Sequence, residues 1–266
     1  MTQSRVTEEI AQDMTQSGVQ IDPLDSPHPI PWNWVLATHA ELSASNSSAI
    51  RYYRSQSLLS PDGQYAAYSR IQMEGQPELY QSRVTSVVFV ENLQTGDLRT
   101  ITASSPLVDH SLLQDQDADR PGTITILIPI SWSKSSDRLL ARQFEGLFNT
   151  PEISDFAVVW DRRQNLVTTL SPQSVEYDMA VLLGWSQRHS DRILFRAGEL
   201  GYERWPVWSV DLKGGTTLAL EDEPRVYGQV MSQVRKSVGK LLRLEWVYPS
   251  PGHGLSRPIL KSRVLK

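Results

Sequence analysis

The chain has 266 residues, 39% hydrophobic and 21% charged, which is enough apolar material for one large or two small domains with a real core. It contains no cysteine, which excludes disulfides, thiolate nucleophiles and cysteine-held zinc or iron–sulfur clusters. The net charge of −4 is uneven: residues 225–266 hold nine bases and one acid, a net of +8, so the rest carries −12.

Residues 1–30 are polar and acidic at first, with Pro23, Pro27 and Pro29 following, and read as a flexible acidic tail and a Pro-rich arm. They lack the basic start and apolar centre of a signal peptide. No window reaches the roughly 18 apolar residues of a membrane span. A cytoplasmic protein is therefore expected, at most peripheral to a membrane complex. Residues 31–266 then read as one domain. It opens on a helix at Pro31–Ala44, because Pro31 suits a first turn and Trp34, Leu36, Ala37, Ala40 and Leu42 give a partial apolar stripe. This helix is expected to cap the end or edge of the strands that come after it.

"LLSPDGQYAAYSR" (58–70) places a turn cluster before a short apolar run, and three later segments repeat it: "ISWSKSSDRLLARQ" (130–143), "LGWSQRHSDRILFRA" (183–197) and "SQVRKSVGKLLRLEW" (232–246). Aligning them predicts equivalent strands at Tyr65–Ser69, Arg138–Arg142, Arg192–Arg196 and Lys240–Leu244. Each of the first three is followed by a hairpin plan in "VVFVENLQTGDLRTIT", "AVVWDRRQNLVTTLSP" and "VWSVDLKGGTTLALED". In these, Gly96, Asn165 and Gly214 or Gly215 supply the positive φ of a tight turn. Trp132 and Trp185 stand 53 residues apart, near the period of about 40–50 that marks propeller blades. They are expected to be buried at corresponding positions between sheets.

"SPDGQYAAYS", "WSKSSDRLLAR" and "VWSVDLKGGTTLAL" resemble the Ser-Pro-Asp-Gly propeller repeats of TolB and of the propeller domains of prolyl oligopeptidases and dipeptidyl peptidases. The resemblance covers about residues 50–246 and implies a fold rather than an activity. It departs from the pattern in that Pro and Gly survive only in the first copy, while Val234 stands at the tryptophan position of the last. The fold expected is all-β: a small β-propeller-like array of about four antiparallel sheets, complete or incomplete, with one N-terminal helix.

The peptidase relatives prompt a search for a nucleophile, but no Gly-x-Ser-x-Gly is present, and "GHGLS" (252–256) is only a turn. "DQDADR" (115–120) lacks the sixth-position glycine and twelfth-position glutamate of a calcium loop. His28, His39, His110, His189 and His253 show no ligand spacing. No catalytic residue, metal or cofactor is assigned. Tyr202, Arg204 and Trp205, within "GELGYERWPVW", are residue types that dominate binding hot spots, although packing of Trp205 and Trp208 between blades is the reading slightly preferred. Arg257, Lys261, Arg263 and Lys266 could steer an acidic partner. These residues point to a non-enzymatic protein-interaction module, an accessory, scaffold or assembly factor whose partner is a protein with an acidic face. A propeller hydrolase or lyase with a central-pocket site is the alternative. A binder of anionic membrane or nucleic acid through the basic end comes third, nucleic acid last because few aromatics interleave with the bases.

Overall fold

Fifteen strands and one α-helix make up the described part of the chain, residues 21–103 and 121–231 of a computed structural model. The chain divides into two units, 1–233 and 234–266, and the described residues all belong to the first. The predicted strand at Lys240–Leu244 and the basic residues Arg257, Lys261, Arg263 and Lys266 lie outside the described residues, as does "DQDADR".

The all-β class is as expected. After α1 (Trp32–Ala44), β1 (Ala49–Arg54) and β2 (Ser57–Leu59), the chain forms three up-and-down meanders. The first is β2, β3 (Tyr65–Gly75), β4 (Arg83–Asn92) and β5 (Leu98–Ile101). The second is β6 (Thr123–Trp132), β7 (Arg138–Leu147), β8 (Ile153–Asp161) and β9 (Leu166–Leu170). The third is β10 (Met179–Ser186), β11 (Arg192–Gly198), β12 (Val207–Asp211) and β13 (Thr216–Leu218). β14 (Pro224–Arg225) and β15 (Gln229–Met231) follow.

The three described members of the predicted set fall at the start of β3, β7 and β11, the second strand of each meander. Register makes the equivalence residue by residue, since Leu59 pairs with Ala66, Trp132 with Leu139 and Trp185 with Ile193. The turns agree as well. Ser60 and Ser133 each accept a backbone N–H three residues on, and Gly63 (φ 69°) and Ser136 (φ 61°) share the left-handed position there. Gly96, Asn165 and Gly214 take positive φ at the hairpin turns, as the sequence predicts.

The third meander forms a sheet of its own with β14, but the first two do not form separate sheets. The first two meanders belong to one ten-stranded sheet, joined by a parallel contact at Val84 and Ile124. The physical reason is length: β4 runs ten residues, projects past the four-residue β5, and brings its free end against the edge of β6. Pro129 is tolerated within β6 because the register shifts there, at a bulge.

Two cores flank the second meander. On one side Leu139, Ala141, Val158 and Trp160 pack with Leu58, Ala67, Val88 and Trp132. On the other Leu140, Phe144, Ala157 and Val159 pack with Val181, Trp185, Ile193 and Phe195. Both tryptophans are fully buried, in different cores. β7 and β8 are thus buried on both faces along nearly their whole length, which suits the apolar run of β8, whereas β7 buries Arg142, Gln143 and Glu145 among its apolar residues.

α1 lies against β1 and the end of β3. Its buried face is Val35, Thr38 and Leu42; the expected contributors Leu36, Ala37 and Ala40 are exposed, because the i, i+3, i+7 set that reaches the sheet starts one residue earlier. The Leu42 methyl occupies the place where a side chain on Gly75 would be, so the helix packs closely on the end of β3. Residues 21–31 of the arm also enter the structure, with Ile30 fully buried and Leu24 close to it.

Candidate interaction surfaces

The β11–β12 loop positions the three residues singled out in the sequence. Gly201 (φ 92°) turns the chain, and Tyr202 stands 68% exposed beside exposed Leu200 and Arg204. Trp205 behaves differently. It is half-buried, packs against Gly198, and donates its Nε1–H to the Glu199 carbonyl (3.0 Å). Trp208, also half-buried, donates to the Ala197 carbonyl (3.3 Å). The loop therefore presents Leu200, Tyr202 and Arg204, with Trp205 as the anchor that holds them out.

Two features have little signature in the sequence. The first is a buried ion cluster. Arg142 on β7 is fully buried and donates to Asp155 on β8 (2.7 Å), to both oxygens of Asp22 (2.6 and 3.1 Å) and to the His28 carbonyl (2.7 Å). Asp22 also accepts the backbone N–H groups of Leu24, Ser26 and Ile30, so one carboxylate folds the arm and ties it to the second meander. Asp155 accepts the Leu182 N–H (3.0 Å), and the His28 Nε2–H meets the Leu183 carbonyl (3.0 Å), which adds β10 to the same knot. Charges standing in the apolar runs "RLLARQF" and "ISDFAVVW" were the available signal.

Burial opposes ionisation at both carboxyls, but the outcomes differ. At Asp22 the guanidinium and the backbone N–H groups outweigh it and hold the carboxyl below its usual range. At Asp155 complete burial wins over Arg142 and pushes the carboxyl up to about 6. Between pH 3.8 and about 6 the folded protein retains a proton that the unfolded chain has lost. The stability from this group is therefore full below about pH 4 and lost as pH rises through 6. Asp155→Asn does not titrate. Urea melts should show its stability relative to the wild type rising by about 3 kcal/mol from pH 4 to pH 7. A flat difference would mean an Asp155 that is ionised throughout.

The second feature is a strap. Residues 222–231 pair with the first strand of each of the three meanders with a two-residue step: Arg225 pairs with Trp185, Tyr227 bridges to Trp132, and Gln229 pairs with Leu59. These are the three equivalent repeat positions. Gly184 and Gly228 permit the approach, since a Cβ on Gly228 would stand 2.7 Å from the Leu59 carbonyl. Asp222 accepts the Ser186 hydroxyl (2.6 Å), as Asp62 accepts that of Ser60 (2.5 Å) and Asp137 that of Ser133 (2.7 Å). The third repeat thus takes from the strap the carboxylate that the other two carry in their own turns.

Among the described residues no three His, Asp or Glu side chains are grouped to hold a metal, and no helix is long and apolar enough to cross a membrane. No family model and no curated protein matches the chain.

Proposed function

We propose that the protein is a non-enzymatic interaction module, an accessory or assembly factor of the cytoplasm, built on TolB-type propeller repeats. The repeat reading is supported by three register-equivalent meanders with a core between each consecutive pair, the logic of neighbouring blades. The contact surface is the β11–β12 loop, and the observation that carries it is an exposed Tyr202 and Arg204 held out by an anchored Trp205. Aromatic area beside a guanidinium suits a protein partner with an acidic face. The strap favours this reading over a central-pocket hydrolase or lyase, because it pairs along the edges of the first strands, on which such a pocket would open.

Pull-down from the native cell, followed by binding kinetics at two salt concentrations, tests the proposal. Tyr202→Ala and Arg204→Ala should speed dissociation at least tenfold. Neutralising Arg257, Lys261, Arg263 and Lys266 should slow association and flatten its salt dependence. Unchanged binding in both sets removes these surfaces, and substrate turnover by the purified protein alone removes the interaction reading.

A further inference from the structure

The first meander carries an edge that the loop surface does not use. Among the described residues β1 pairs with β3 and with no other strand. One face of β1 is covered by α1, through Trp34 against Tyr53 (5.4 Å between rings) and the Arg51–Glu41 ion pair (2.9 Å). The other face presents Ile50 (53% exposed), Tyr52 (57%) and Arg54. An edge strand kept from pairing carries charge or a break along its length; β1 carries Arg51 and Arg54, but its open face also offers two apolar side chains in alternate positions.

Register sets Arg54 directly opposite exposed Arg70 on the same face. Like charges so placed repel, yet neither forms an ion pair among the described residues. Arg54 is held in place: its guanidinium lies 3.8 Å over the Tyr68 ring, which stacks on Phe89, and it donates to the Ser55 carbonyl and the Ser57 hydroxyl. A fixed guanidinium with a second one opposite and no carboxylate between them is a receptor for an anion.

We propose that the β1 edge docks an extended acidic segment of a partner protein, added as an antiparallel strand with an acidic side chain beside Arg54 and Arg70. Backbone pairing supplies affinity, and alternate side chains supply choice. The residue opposite Arg54 is acidic, and those two and four positions later, opposite Tyr52 and Ile50, are apolar. This surface is separate from the β11–β12 loop, and neither proposal depends on the other.

Fluorescence anisotropy with the full chain and a labelled Asp-Thr-Val-Thr-Val-Thr peptide tests it. Saturable binding is expected, weakened at least tenfold when Lys replaces the Asp, when the backbone is N-methylated at alternate positions, or in Arg70→Glu. Arg70→Glu should instead prefer the Lys peptide, a reversal that an unfolded variant cannot give. The proposal is overturned if no peptide binds, if the Asp and Lys peptides bind alike, or if the methylated peptide binds equally well. A dimer in sedimentation that Ile50→Lys dissolves would make the occupant a second copy, and would overturn it too.

Discussion

Arg142→Ala should destabilise the protein by about 3–5 kcal/mol at pH 7, because it leaves two carboxylates in the interior without their counter-charge. Both side chains facing Arg142 are nearly inaccessible, Asp22 at 3% and Asp155 at 0%. Their positions outlast the guanidinium, since Asp22 is held by three backbone N–H groups and Asp155 by a fourth. The loss should also loosen the arm. The His28 carbonyl and Asp22 are its links to β7, so proteolysis within residues 22–30 should accelerate in the folded state. Arg142→Met with Asp155→Leu removes both charges of the β7–β8 pair for similar volume and should cost less than Arg142→Ala alone. Urea melts of the three proteins decide this. A cost near zero for the single variant, or a double variant worse than the single, contradicts a cluster whose members need one another.

The repeat was legible because its markers are local. A serine leads the turn before β3, β7 and β11, and a positive-φ residue follows it in the first two, so the starts of the three strands could be placed from sequence alone. The join between the first two meanders was not legible. It depends on how far β4 projects past β5, and that is set by the paired lengths of β3–β4 and β4–β5 rather than by any residue type. The strap was hidden for a related reason: β14 and β15 are two and three residues long, too short for alternation to register. Its pairing positions become visible only once Leu59, Trp132 and Trp185 are known to be equivalent. Of the candidate site, the loop's exposure followed from composition, but the inward turn of Trp205 depends on Gly198, which leaves the space that the indole fills.

Trp132→Ala and Trp185→Ala should each cost about 3–5 kcal/mol, the range for a large aromatic removed from a core, and their phenylalanine variants should separate the two sites. Both indoles are buried, at 0% and 1% exposure, in equivalent register. Their nitrogens differ: Trp132 donates its Nε1–H to the Leu58 carbonyl on β2 (3.2 Å), whereas the buried Nε1 of Trp185 has no hydrogen-bond partner. Trp132→Phe therefore gives up a buried hydrogen bond, worth about 0.5–1.5 kcal/mol, in addition to lost volume. Trp185→Phe loses similar volume but removes an unsatisfied donor, so it should be the milder change. The effect should also be local. Trp132 lies beside Gly228 and bridges to Tyr227, so its loss should raise amide exchange in β2 and residues 227–231 before it does so in β11. Denaturant melts with exchange measured segment by segment test both points. Equal costs for the two phenylalanine variants would show that the Trp132–Leu58 hydrogen bond contributes nothing, and alanine costs below about 1 kcal/mol would place both indoles outside the core.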